Sequence, residues 1–321
     1  MITILLLLAL GLVFLILGSD WLVKGASGLA KRYQVPDIVI GLTIVSFGTS
    51  MPELLVSFLA AVKGNSAIAL GNVLGSNIVN VWFILGVSAM IYPLIAKRNT
   101  TWIEIPIALI SAVLLGFLAY IGYDEASGTS SLSRLSGIIL LAGFAGFMWY
   151  IIRLAKSGKE GVIQSEDFVP MHGGKAVLFI LAGIGTMGLG GKWCVDNAVL
   201  LAKTWGVSDA LIGLTIVALG TSLPELATSA MAAYKKETDI AIGNVVGSNI
   251  FNILWILGVS TTLSPMKFGT NMNFDFAMAI ASALMLFMFM FIGKRHQLNR
   301  WKGALFVLTY VAYVVYLIQR G

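Results

Sequence analysis

Charge is scarce in this chain. Of its 321 residues 11% are charged and 58% hydrophobic, where a soluble globular protein carries about 25% charged residues. The mean hydropathy is +0.91. A chain this long with so little charge could not cover its own surface in water. A soluble enzyme, a disordered regulator and a nucleic-acid-binding domain are therefore excluded. Cysteine is almost missing as well. The single Cys194 lies in an apolar stretch, so there is no disulfide framework and no Cys/His metal cluster. The two histidines, His172 and His296, fall among charged loop residues, where solvation is the expected state. The amino terminus, MITILLLLALGLVFLILG, lacks the basic start and small-residue cleavage site of a signal peptide. Its apolar run continues past residue 20, so it reads as a retained first membrane span.

What is present is a series of long apolar runs. A span needs roughly 20 mostly apolar residues to cross about 30 Å of hydrocarbon. Ten stretches qualify: 2–30, 36–62, 66–92, 102–122, 134–154, 175–203, 208–233, 239–264, 273–293 and 302–319. The fold class expected is an all-α integral membrane protein. Residues 1–155 form a first five-helix unit, 156–174 a linker and 175–321 a second unit. The net charge of +6 follows from loop lysines and arginines rather than from an anionic partner. If the amino terminus is outside, the cytoplasmic loops hold 14 basic residues, among them Lys97, Arg98, Lys235 and Lys294, against five outside. This asymmetry predicts both termini outside a cytoplasmic membrane.

The chain is written twice. Residues 41–93 and 213–265 align without a gap at a shift of 172, and 31 of these 53 positions are identical. Shared hydrophobicity could not place Pro, Glu, Asn and Gly at matching positions, so the halves arose by duplication. Each half carries five expected spans, an odd number. The second must enter the membrane from the opposite side, which makes the halves inverted repeats, an arrangement that recurs in secondary transporters.

Each repeat holds polar residues inside an apolar run: Gly48-Thr49-Ser50-Met51-Pro52-Glu53, and Gly220-Thr221-Ser222-Leu223-Pro224-Glu225. Proline removes a backbone donor and frees carbonyls one turn upstream, near Phe47 to Thr49 and Leu219 to Thr221. Such carbonyls are tolerated at membrane depth only where they are buried in protein or line a cavity. Glu53 and Glu225 are the acidic residues deep within these runs, and no Lys or Arg accompanies them. Two facing carboxylates repel unless protonated or bridged by a cation. A second strip follows in each half, Asn72, Gly75, Ser76, Asn77 and Asn80, repeated as Asn244, Gly247, Ser248, Asn249 and Asn252. Ser76 and Asn80, like Ser248 and Asn252, share a helix face at i, i+4. The glycines allow close helix approach, and Asn72 and Asn244 read as helix caps. The donor set is all oxygen, without sulfur or imidazole, and suits hard cations. Calcium accepts six to eight such ligands in flexible geometry, and two carboxylates balance its charge. The flanking hydroxyls and carbonyls suit sodium.

The paired GTS-x-PE blocks, each followed by GN-V-x-GSN-I, resemble the alpha-repeats of the cation/calcium exchanger superfamily, and its sodium/calcium branch of prokaryotic type most closely. The resemblance implies electrogenic exchange of sodium for calcium by alternating access, with no enzyme activity and no cofactor. By position it places calcium on Glu53 and Glu225 with main-chain oxygens of Thr49 and Thr221. It places sodium on Ser50, Ser222, Ser76 and Ser248 and the carbonyls of Ser46 and Ala218, with Asn80 and Asn252 lining the centre. It further implies that the first and sixth spans move to switch access. Here those spans carry Asp20 with Lys24, and Lys192 with Asp196, expected as two local ion pairs. Potassium-dependent relatives have Asp where Asn252 stands, which argues against a potassium requirement, and proton/calcium exchangers typically show a different motif. The linker is too short for a calcium-sensing domain. The partners expected are the ions and the bilayer, with the chain as a monomer. The readings left open are proton-coupled calcium exchange and a calcium-permeable channel.

Overall fold

The structure is a computed structural model and describes residues 2–157, 171–204 and 218–320. Helices dominate it. In the first half they are α1 (Ile2–Tyr33), α2 (Asp37–Thr49), α3 (Met51–Val62), α4 (Ser66–Ile91), α5 (Thr100–Ile121) and α6 (Arg134–Ser157). The second half contributes α7 (Gly173–Thr204), α8 (Ala218–Thr221), α9 (Leu223–Tyr234), α10 (Thr238–Leu263), α11 (Asn273–Phe289) and α12 (Arg300–Arg320).

Seven of these, α1, α4, α5, α6, α7, α10 and α12, are long and apolar enough to cross a membrane, and α2 with α3 forms an eighth candidate bent by 52°. Two of the ten expected spans stand apart. One is α11, an apolar helix of 17 residues. The other is 208–233, of which residues 208–217 lie outside the described residues. The protein is thus a multi-pass, predominantly helical membrane protein.

The middle of the molecule belongs to α4 and α10. In an 18-residue window 94% of α10 and 72% of α4 is buried within the protein, against 22% of α1 and 28% of α6 and α12. The outer helices turn Leu, Ile and Val outward, as a lipid-facing surface requires. On α1, Leu6, Leu12 and Ile16 are more than half exposed. Helices α1 and α7 lie against each other at backbone distance. A Cβ on Gly18 would fall 2.8 Å from the Gly183 carbonyl oxygen, and one on Gly183 would fall 2.7 Å from that of Gly18. Small residues allow this approach where lipid offers no hydrophobic force to drive packing.

Short strands, which the all-helical expectation did not include, join loops of the two halves. On one face β1 (Leu94–Ile95) pairs with β5 (Gln297–Leu298). Lys97 there reaches Asp239 at 2.7 Å. His296, expected to be solvated, instead binds Thr101 Oγ1 through Nδ1 at 2.9 Å. On the other face β2 (Tyr123–Asp124) and β3 (Thr129–Leu132) form a hairpin, and β3 pairs with β4 (Met266–Gly269).

Helix caps fall elsewhere than expected. Asn72 and Asn244 sit well inside α4 and α10, and the residues before those helices are Asn65 and Glu237. Asn65 supplies the cap, its side chain accepting from Ile68 N at 3.2 Å. Capping needs an end-of-helix position, so the two interior asparagines are free for other work.

Candidate cation-binding site

The two polar blocks break their helices in the same way. Ser50 leaves the helical region at φ −83°, ψ 9°, and Ser222 does so at φ −89°, ψ 7°. Across the first break, Ser50 N still bonds Ser46 O and Leu54 N bonds Ser50 O, each at 3.0 Å. The carbonyls of Phe47, Gly48 and Thr49 lie between these two bonds, outside the regular helical ladder. Pro52 and Pro224 fall in the first turn of α3 and α9, where a missing N–H costs nothing. The freed carbonyls anticipated from the prolines are therefore a consequence of a full break at the serine.

Glu53 and Glu225, in the first turns of α3 and α9, are each 1% exposed. Each is held by the opposite repeat. Ser50 Oγ donates to Glu225 Oε1 at 2.8 Å, and Ser222 Oγ donates to Glu53 Oε1 at 3.0 Å. The same serine oxygens also lie against the central helices, Ser50 Oγ at 2.9 Å from Ser248 Oγ and Ser222 Oγ at 3.2 Å from Ser76 Oγ. Ser76 and Ser248 in turn donate to Glu53 Oε1 and Glu225 Oε1 at 3.4 and 3.5 Å. Six of the expected residues thus fall into two mirrored triads, Ser50 with Glu225 and Ser248, and Ser222 with Glu53 and Ser76.

Asn80 and Asn252 make separate mirrored contacts. Their Nδ2 atoms donate, at 3.0 Å each, to the side-chain oxygens of Asn249 and Asn77 in the opposite repeat. Asn77 and Asn249 also donate to each other's main-chain oxygens at 3.3 Å. Two π-helical stretches, Val79–Leu85 and Phe251–Leu257, carry Asn80 and Asn252. A third, Gly41–Val45, precedes the first break. Such bulges recur at functional sites.

The amide and hydroxyl groups behind the carboxylates form a second mirrored layer. Asn72 Nδ2 donates to Ser57 Oγ at 2.9 Å and to Glu53 O at 3.4 Å. Asn244 Nδ2 donates to Ser229 Oγ at 2.8 Å and to Glu225 O at 3.3 Å. Their oxygens accept from the opposite breaks, from Thr221 Oγ1 at 3.3 Å and Thr49 Oγ1 at 3.1 Å. Both asparagines brace the site. The pairing of Asn with Ser fifteen residues upstream, identical in both repeats, was the signal available in the sequence.

Other expected positions fare unequally. The Ser46 carbonyl already accepts from Ser50 N. Ala218 opens α8, and its side chain lies outside what is described. Gly247 lies close enough to α2 that a Cβ would meet Leu42 O at 2.8 Å. Gly71 and Gly75 have no such neighbour among the described residues. Asp20 and Lys24 pair as expected at 2.7 Å, and Lys235 adds a second bond to Asp20 at 2.5 Å. Lys192 and Asp196 form no matching pair and are both exposed.

Four site oxygens have no hydrogen-bond partner although they are buried: Glu53 Oε2, Glu225 Oε2, Asn80 Oδ1 and Asn252 Oδ1. They form two pairs related by the repeat. A buried orphan calls for an explanation such as a bound ion, and four of them, all acceptors and two carrying carboxylate charge, call for a cation.

The family model described as sodium/calcium exchanger protein matches residues 3–153 and 175–319. The chain belongs to that family. It is 36% identical over 310 residues to the putative antiporter CaxA of Alkalimonas amylolytica, covering 94% of this chain and 95% of that one. It is 33% identical to the sodium/calcium exchanger MaX1 of Methanosarcina acetivorans, covering 97% of both. Among solved structures it resembles the sodium-calcium exchanger NCX_Mj soaked with 10 mM Na+ and zero Ca2+. That match has a TM-score of 0.81 and 32% identity over 98% of this chain and 99% of that one. The relatives are exchangers and antiporters, and membership makes this chain a protein of the exchanger type.

Proposed function

We propose that the protein is a secondary active antiporter that exchanges sodium for calcium by alternating access, moving net charge and extruding calcium. The observation that carries this reading is the set of four orphaned oxygens on two mirrored carboxylates and two mirrored carboxamides. Calcium, as substrate, takes Oε2 of Glu53 and Glu225, and main-chain oxygens of Thr49 and Thr221 complete its shell. Sodium takes the hydroxyls of Ser50, Ser222, Ser76 and Ser248 with carbonyls at the breaks, including Ser46 and Ala218. Asn80 and Asn252 line the position between. Because the serines hydrogen-bond the same carboxylates, either ion disturbs the other's ligands, and the two compete.

The rest of the reading follows the repeat. Ten spans form two inverted units, with the linker 156–174 between them. Both termini face outside, and the basic loops meet on the cytoplasmic face. One chain contains both halves of the site, so a monomer suffices, and no cofactor enters the cycle.

The test is calcium uptake into proteoliposomes loaded with sodium or with potassium at one pH, on dilution into sodium-free buffer. Uptake only from sodium-loaded vesicles is expected. Equal uptake in both overturns sodium coupling, and an imposed pH gradient then separates a proton-coupled carrier from a channel.

A further inference from the structure

A second buried carboxylate stands apart from the central network. Glu104, on α5, is fully buried at 0% exposure. Tyr150 of α6 donates to its Oε1, and its Oε2 has no hydrogen-bond partner. Glu104 and Thr100 line a small cavity with Lys97, Asn99, Pro36 and Leu154, with room for one particle the size of water, about 10 Å³. The cavity lies beside the β1–β5 loops, on the face where Lys97 meets Asp239.

Three features make this more than an acidic patch. The orphaned oxygen belongs to a carboxylate lining a cavity, and a buried carboxylate is costly unless it is paired. The neighbouring Lys97 is matched by Asp239 at 2.7 Å, so its charge is already spoken for. The segment Thr100–Glu104 is also π-helical. Of the four π-helical stretches among the described residues, the other three flank the central site. The fourth has no role there, and π-bulges mark functional positions.

The repeat supplies a contrast. At a shift of 172 Glu104 corresponds to Phe276, which is buried in the apolar core. The aligned position is therefore acidic in the first repeat only.

We propose that Glu104 anchors a second cation site, separate from the central one, that takes a single monovalent cation of sodium's class. The ligand follows from the donor count. Glu104 is the single carboxylate lining the cavity, which leaves calcium's second charge unbalanced and its six to eight oxygens unsupplied. The Glu104 carboxylate, with Thr100 beside it, balances one positive charge in a space for one ion. A site with this asymmetry reports sodium on its own side of the membrane.

The test uses the full chain, purified in detergent, carrying Glu53→Gln and Glu225→Gln so that the central carboxylates are neutral. Radioactive sodium binding and the unfolding midpoint are measured as sodium chloride replaces choline chloride at constant ionic strength. A ligand that binds the native state raises that midpoint with its concentration. Adding Glu104→Gln is expected to remove one equivalent of bound sodium and the sodium-dependent part of the rise. Thr100→Val is expected to weaken the same binding about tenfold while leaving the carboxylate, and it serves if the glutamine variant does not fold in choline. Unchanged sodium binding in both variants overturns the site, as does a background that binds no sodium. Neither result bears on calcium uptake by the unaltered chain, so the central reading stands or falls separately.

Discussion

Ser50 donates a 2.8 Å hydrogen bond to Glu225, a residue 175 positions away in the other repeat, and Ser222 returns the bond to Glu53 at 3.0 Å. Neither carboxylate is held by the hydroxyl of its own break. A hydrogen bond to a charged group is worth about 1.5–3 kcal/mol, and about 1.4 kcal/mol is tenfold in affinity. Ser50→Ala and Ser222→Ala should therefore each weaken calcium's apparent affinity about ten- to hundredfold, and by similar factors. Calcium dependence of uptake in proteoliposomes measures both. An effect in one variant alone would show that the mirrored bonds are not equivalent in use.

Glu53→Gln and Glu225→Gln keep the side-chain shape and the Oε1 acceptor but remove the charge. Each is expected to abolish calcium binding, read by radioactive calcium retention on the purified protein. Near-normal transport in either variant would sink the assignment of the central site.

Asn77 and Asn249 touch each other's backbone and each accepts from an asparagine across the repeat axis. Truncating either leaves buried amide groups unmatched, at about 1–3 kcal/mol per orphaned group. Asn77→Ala and Asn249→Ala should lower the unfolding midpoint in detergent. The double variant should lose less than the sum, because the partners share one network. Strict additivity would argue that the two are independent.

Asp20 receives both Lys24 and Lys235, but the two lysines differ. The Lys24 side chain is 45% exposed and that of Lys235 13%. Exposed ion pairs contribute about 0–1 kcal/mol, so Lys24→Met should leave thermal stability nearly unchanged. Lys235→Met, which removes the sheltered bond between α1 and the end of α9, should destabilise clearly, with less dependence on added salt. Equal effects of the two would contradict the burial difference.

Much of this could be read from the residues. The duplication at a shift of 172, matching interruptions in the two polar blocks and the burial of Glu53 and Glu225 follow from spacing and the cost of charge in lipid. Carbonyls near Phe47 to Thr49 were expected from Pro52, but the break that frees them lies at Ser50. Other features were hidden for physical reasons. Asn72 was read as a cap because asparagine favours helix ends, although the apolar run was placed from residue 66, where the helix does start. The π-helical register of Asn80 and Asn252 depends on backbone bonding that a 3.6-residue pattern does not reveal. The Lys235 bond to Asp20 spans 215 positions, and no local rule predicts it. Lys192 and Asp196 had the right spacing for an ion pair, yet both point outward and stay apart. Glu104 sits near the start of its span, where an acidic residue attracts no notice until its burial is known.

The strand pairs have a mechanical consequence. β1 with β5, and β3 with β4, each tie a loop of one repeat to a loop of the other, and they do so on opposite faces of the molecule. A body stitched at both ends resists shear between its halves. Among the described residues the close-packed pair α1 and α7 carries no such strand pair, and the bond of Asp20 to Lys235 ties α1 to the end of α9 instead.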